Sequence, residues 1–269
     1  MTRCSLSRPW EALREGPVFT LTSDQDWAPT LAATELLARA DRWRVPLHVF
    51  RTSPCPVFDA AASSGRITQG WHPNFLPGSS HGTTPKEVVS YLETHFPGVR
   101  TSRGHAFGEF TAATLALREA GIVVDSHVAT AYQAELLPLM HWTGTLRLPV
   151  YFEDDVFFDH DPDRLDASII EKTLFSPGLK VLSFHAIHVW LNTPSQAHYD
   201  KVRAQAYSTS PEMSEIRHAG RGTADVLDDL IGRVLDRGHT FVAFEDLGSR
   251  VRAEAPWPFP ALASDPSKR

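Results

Sequence analysis

Short runs of apolar and β-branched residues recur along the chain: "VFTLTSD" (18–24), "VPLHVF" (45–50), "ITQGWH" (67–72), "VRTSRGH" (99–105), "GIVVDS" (121–126), "LRLPVYFED" (146–154), "LKVLSFH" (179–185) and "TFVAFED" (240–246). Their length and composition read as strands. Between the first two, Ala32, Leu36, Ala40 and Trp43 fall three or four apart, which predicts a helix with one apolar face. "TPKE" at 84–87 reads as a helix start, with Thr84 as cap, Pro85 in the first turn and Glu87 closing a capping box. A further start at Thr223 leads into a helix ending on Gly238, whereas 130–145 has no clear helical period. The alternation predicts an α/β fold: a parallel sheet closed, or nearly closed, into a (β/α) barrel of about seven or eight strands.

The polar residues fall in register with these runs. Asp24, His72, Arg103, His105, Asp125, Glu153, His185 and Glu245 all stand at or just beyond the C-terminal ends of the predicted strands. An α/β barrel builds its active site there, so one shared site is expected.

Composition narrows the partners. With 269 residues, 42% of them hydrophobic, the chain can bury one large core, and a single domain over 1–269 is expected. Within it, 1–16 reads as an N-terminal extension and the Pro-rich 253–269 as a strap and tail. The net charge of −6 is spread along the chain with no basic stripe, which argues against nucleic acid. The N-terminus lacks the apolar core of a signal peptide, and no stretch approaches the roughly 18 to 20 apolar residues of a membrane span, so a cytoplasmic protein is expected. Cys4 and Cys55 form no disulfide framework and no CxxC unit is present, so any metal ligands are expected to be nitrogen and oxygen.

Two stretches carry candidate chemistry. "TSDQDWAP" ends the first strand with Asp24 and Asp26, which alternation would put on one side of an extended chain. One carboxylate can bind a cation while the other takes a proton from the cation's water; the competing reading is an Asx turn with a helix cap. "HPNFLPGSSH" (72–81) has a histidine at each end, and imidazole suits zinc and related ions. His72 and His81 meet only if the loop folds back.

Taken in order, "LTSDQDW", "GWHPNFLPGSSHG", "SRGHAF", "LRLPVYFEDD" and "LSFHAIHVWLN" resemble the polysaccharide deacetylase superfamily (NodB homology, related to carbohydrate esterase family 4). The likeness is greatest to its branch associated with bacterial surface-polysaccharide and O-antigen gene clusters. The resemblance implies a distorted (β/α) barrel and one divalent metal, zinc first, with cobalt, nickel, iron or manganese as alternatives. It implies Asp26, His72 and His81 as ligands, Asp24 as general base, Arg103 orienting that base, His185 as the acid that protonates the leaving group, and Asp125 as a supporting carboxylate. Two departures stand out. Gln25 separates the two aspartates, which leaves open an exchange of base and ligand, and the histidines are nine apart rather than four. His105 and His188 are read as hydrogen-bonding supports, with ligation as the alternative.

The function implied is metal-assisted removal of an N-acetyl, or similar small acyl, group from a sugar or polysaccharide precursor, by a monomer or homodimer. The alternatives are the same mechanism on another C–N bond, such as a cyclic amide, and a sugar-binding barrel without chemistry. Trp27, Phe75, Trp142 and Trp190 are candidate sugar-stacking faces, and Glu153, Asp154 and Asp155 are candidate contacts for a polar substrate group.

Overall fold

The computed structural model describes residues 8–161, 165–208 and 213–254. Nine strands form one sheet: β1 (Pro17–Asp24), β2 (Leu47–Arg51), β3 (Thr68–Trp71), β4 (Thr101–Ser102), β5 (Val124–Asp125), β6 (Leu139–Met140), β7 (Leu146–Arg147), β8 (Val150–Glu153) and β9 (Gly178–His185). Their order is β6-β7-β5-β4-β3-β2-β1-β9-β8. Every pair is parallel except β6 with β7.

The sheet curls until its ends meet. Strands β7 and β8 lie toward opposite ends of the strand order, yet only Leu148 and Pro149 separate them in the chain. The expected single strand "LRLPVYFED" is therefore two strands. Pro149 has no N–H to give a ladder. The flanking amides find partners elsewhere, Leu148 on the Asp125 carbonyl at 2.7 Å and Val150 on the Val128 carbonyl at 2.7 Å. Across the seam Ala129 bridges Val150 in parallel. The result is the distorted barrel expected from the sequence.

Strand parity sorts the side chains into two faces. On β1 and β9, Phe19, Leu21, Leu182 and Phe184 pack outward against helices that include Thr30–Trp43 and Thr223–Asp236. Val18, Leu179 and Val181 belong to a second cluster with Phe50, Val124, Leu146, Val242 and Phe244, which fills the barrel from the strands' N-terminal ends up to Phe50, the register partner of Asp24. Gly70 of β3 leaves room for that filling: a Cβ there would come within 2.6 Å of both the Phe50 ring and Thr101 Oγ1.

The predicted helix starts are present. Thr84 Oγ1 accepts the Glu87 amide at 3.3 Å and Glu87 Oε2 accepts the Thr84 amide at 3.0 Å, the reciprocal pair of a capping box. "TFVAFED" departs from expectation, because only Phe241 forms an isolated bridge and a helix, Phe244–Glu254, follows at once. Of the expected N-terminal extension, Pro9–Glu15 is helical and seats Leu13 in the cluster at the N-terminal end of the barrel. The first seven residues, Cys4 among them, and the tail beyond Glu254 lie outside the described residues; Cys55 is a buried free thiol. Among the described residues no helix is long and apolar enough to cross a membrane.

Candidate active site

The interior face gathers the chemistry at the opposite, C-terminal end of the barrel. Asp24 and His185 are register partners across β1 and β9, so they stand side by side on one face. His72 follows outward-facing Trp71, and Arg103 follows Ser102, so parity turns both inward.

Arg103 is fully buried, a costly place for a guanidinium without partners. It donates to Asp24 Oδ1 at 2.9 Å, Ser183 Oγ at 2.8 Å, Thr22 Oγ1 at 3.0 Å and Ser126 Oγ at 3.1 Å. Its cationic carbon lies 4.4 Å from the centre of the Phe50 ring. This explains hydroxyl residues on or just beyond strands that would otherwise be apolar: Thr22 and Ser183 within β1 and β9, with Ser126 just after β5, form a ring of acceptors around one cation. The bond to Asp24 fixes that carboxylate and leaves Oδ2 4.0 Å from His72 Nε2.

Asp26 is reached by a turn rather than by continued strand. The strand stops at Asp24, and Asp26 (φ 45°) and Trp27 (φ 56°) both take left-handed backbone, unusual for residues with a Cβ and common at functional sites. Asp26 Oδ1 lies 2.8 Å from His72 Nε2 and 2.8 Å from His105 Nδ1, and Oδ2 lies 3.3 Å from His185 Nε2. Burial alone would raise the Asp26 carboxyl, yet His72 and the bonds from His105, His185 and His72 hold it well below the usual carboxylate range. His72 is pushed up in return, the charges of Asp24 and Asp26 overcoming its burial.

The nitrogen and oxygen atoms of Asp26, His72 and His105 lie within 4.8 Å of one another. Two imidazoles and a carboxylate form an N2O donor set suited to a first-row divalent ion with positions left open, so the residues present fit such a group. His81 falls outside this cluster. Its loop does fold back, but the Asn74 amide donates to His81 Nδ1 at 3.2 Å and the ring stacks on Tyr91, centroids 4.7 Å apart. His81 Nε2 is buried without a hydrogen-bond partner. Burial, assisted by the neighbouring His72 and His105, pushes its pKa down to about 4. His105, expected as a support, takes the place beside Asp26; Ala106 and Phe107, both at φ 52°, turn the chain just after it.

His185 is oriented by Asp154, one of the residues expected to meet a polar substrate group. Its Nδ1 donates to Asp154 Oδ1 at 2.7 Å and its backbone amide donates to Asp154 Oδ2 at 2.9 Å. Burial opposes the charged ring, but Asp154 with help from Asp26 holds the His185 pKa well above the ordinary imidazole value. The signal for this pairing is the acidic run "FEDD" at a strand end, which by itself does not separate a histidine partner from a substrate contact or a solvated turn.

Asp125, expected to support the site, faces the other way. It is the register partner of Ser102 on β4 and Arg147 on β7, and its carboxylate takes two bonds from Arg147, at 2.7 and 3.1 Å. Arg147 also binds Glu109, so the three fasten the outer face of the sheet. His188 makes its described hydrogen bond to Thr193 Oγ1 at 3.1 Å and packs at right angles to His185. Glu245 lies at the opposite end of the barrel, beside a cavity of about 560 Å³ lined by Leu47, Thr68 and Phe241, at the beginnings of β2 and β3. Of the aromatic candidates, Trp27 lies between His81 and His105, Phe75 packs on Phe110, Trp190 is core and Trp142 is exposed.

Comparison with known proteins identifies the family and the fold. A family model described as WbmS-like polysaccharide deacetylase matches residues 21–203. Among solved structures, a Bordetella bronchiseptica protein described as a candidate polysaccharide deacetylase involved in O-antigen biosynthesis (WbmS) is similar at 27% identity and TM-score 0.72, over 80% of this chain and 90% of that one. A candidate polysaccharide deacetylase from Mycobacterium smegmatis shares the fold at 15% identity and TM-score 0.57, over 97% and 96% of the two chains. No curated protein matches. The matched segment holds Asp24, Asp26, His72, Arg103, His105 and His185, and the chain belongs to the WbmS-like polysaccharide deacetylases.

Proposed function

We propose that the chain is a metal-dependent hydrolase that removes an N-acetyl or similar small acyl group from a sugar or polysaccharide precursor. The observation that carries this reading is the meeting of three groups in one buried pocket. Asp26, His72 and His105 form a donor set, Arg103 holds Asp24 beside it, and Asp154 holds His185 on its other side.

Each group has a task that its surroundings suit. Asp26, His72 and His105 would hold a divalent ion, zinc by its preference for imidazole and carboxylate. When bound, that ion supplies Lewis acidity toward the acyl oxygen and lowers the pKa of water. Asp24 takes the proton of the attacking water, kept in position by the Arg103 bond. His185 Nε2 gives a proton to the departing nitrogen, which leaves poorly as an unprotonated amide. Asp154 keeps the His185 proton in place by binding Nδ1. Trp27, inclined against His105 and His81, offers an aromatic wall to a sugar ring.

Metal content tests the donor set. Purified protein is expected to carry close to one divalent ion per chain by elemental analysis, His105→Ala to lose it, and His81→Ala to keep it. The reverse order for the two histidines would return the third position to His81; a wild type that binds no divalent ion at all would sink the metal-dependent reading.

A further inference from the structure

Strand β8 carries one extra residue against β9. Val150 pairs with Val181, but Phe152 pairs with Leu182 and Glu153 with Ser183, so Tyr151 is a bulge. The bulge shifts side-chain parity by one. Without it Glu153 would point outward; with it, Glu153 shares a face with Ser183, whose hydroxyl binds Arg103 inside the barrel. Glu153 is 2% exposed, Oε1 lies 3.7 Å from His185 Nε2, and Oε2 has no hydrogen-bond partner. At 3.7 Å the approach of Oε1 to His185 is too long for a hydrogen bond, so neither oxygen is satisfied among the described residues; a buried carboxyl left so is costly, and one turned into a reaction centre by a local irregularity calls for a ligand group.

We propose that Glu153 accepts the N–H of the scissile amide and so makes this site prefer N-acyl over O-acyl substrates. The inference rests on the hydrolase reading above. An atom that receives the His185 proton sits about 2.9 Å from Nε2, and a nitrogen there can also stand about 2.9 Å from Glu153 Oε1, because a 3.7 Å base closes that triangle. In the reaction R–NH–CO–CH3 + H2O, the water oxygen bonds to the acyl carbon and the C–N bond breaks. The water proton goes to Asp24, and the nitrogen takes the His185 proton while keeping the hydrogen that faces Glu153. An ester oxygen at the same place carries no hydrogen and presents lone pairs to Oε1. Burial, with the Asp24 charge added and His185 opposing, pushes the Glu153 carboxyl well above the usual range. A neutral carboxyl keeps a carbonyl oxygen that accepts; glutamine reproduces that oxygen and methionine does not.

The test compares the metal-loaded full chain with Glu153→Gln and Glu153→Met, measuring acetate release from N,N′,N″-triacetylchitotriose and from p-nitrophenyl acetate. The readout is the amide-to-ester ratio of kcat/KM. The ratio is expected to fall at least about tenfold in Glu153→Met and to stay within about threefold of wild type in Glu153→Gln, since a site built for an N–H discriminates strongly once its acceptor is gone. The melting temperature of Glu153→Met is expected at or above that of wild type, because an unpaired buried oxygen has been removed. An unchanged ratio in the methionine variant overturns the inference. So does an equal loss in both variants, or a methionine variant that loses both activities together with its melting temperature. A wild type that cleaves only the ester overturns the inference alone, whereas one that cleaves neither overturns the hydrolase reading as well.

Discussion

The two ends of the barrel interior solve opposite problems with the same strands. Toward the N-terminal ends, Leu13, Val18, Leu179 and Phe244 close the interior with apolar contact. The one imidazole there, His48, is satisfied at both nitrogens, by Thr68 Oγ1 at 2.7 Å and Thr101 Oγ1 at 3.0 Å, and stacks on Phe244. At the C-terminal ends acids and imidazoles crowd together, and His72 Nδ1, His81 Nε2, Arg103 Nε and Glu153 Oε2 are buried without hydrogen-bond partners. Left-handed residues sit at this end, Asp26 with Trp27 and Ala106 with Phe107. One end stores stability and the other gives some of it up for reactivity, so the two should respond differently to substitution.

The largest contrast is expected between Asp24→Asn and Phe244→Ala. Loss of the base should lower acetate release by about 10³-fold while metal content stays level, which kinetics and elemental analysis together would check. Truncating the fully buried Phe244 should cost about 3 to 5 kcal/mol in urea unfolding. Hydrolysis per folded molecule should be kept. A Phe244 variant that stays folded but inactive would erase the division between the ends.

A smaller difference should appear with pH. Burial and the nearby Arg103 push the folded His48 pKa down to about 3 from 6.5. Between those values the unfolded chain binds the proton and the folded chain does not, so stability falls as pH drops below 6.5 and is flat above it. The His48 share of the loss should be roughly 2 kcal/mol by about pH 5, measured by denaturant titration, and His48→Gln should make the slope shallower by that share, with His81 and His188, also held down by burial, supplying part of the rest.

The smallest effect concerns the acid. His185 is held above the ordinary imidazole range, so its protonated form persists to higher pH and the alkaline limb of the rate profile should lie above that range. Removing the charge of its partner in Asp154→Asn lowers the His185 pKa, and the limb should move to lower pH by about one unit. A limb that does not move would separate Asp154 from the acid.

Much of this contrast could be read from residues alone. Asp24, His72, Arg103 and His185 were visible because strand ends in register are a property of the chain, and parity carries them to one face. The third position beside Asp26 was not visible, because the choice between His81 and His105 depends on the Asn74 amide that takes His81 Nδ1 and on left-handed turns at residues with side chains. Asp125 misled for a related reason: it ends a strand as expected, but one step out of phase with the interior. Glu153 reaches the interior through a bulge, and apolar patterning does not reveal an inserted residue among the buried Val150, Tyr151 and Phe152. "TFVAFED" read as a strand because a short apolar run does not distinguish a strand from the first turn of a buried helix.

The joining of β7 to β8 through Leu148 and Pro149 closes the hoop covalently at the same seam that Ala129 bridges to Val150. On either side of this link the two staves are held by their own ladders, β7 by β5 and β6 and β8 by β9. One of those staves carries Glu153 and leads directly into Asp154. Closure of the ring and placement of the partner of His185 thus depend on the same short strand, and a nascent chain that has not yet passed residue 185 lacks the β9 stave against which β8 pairs.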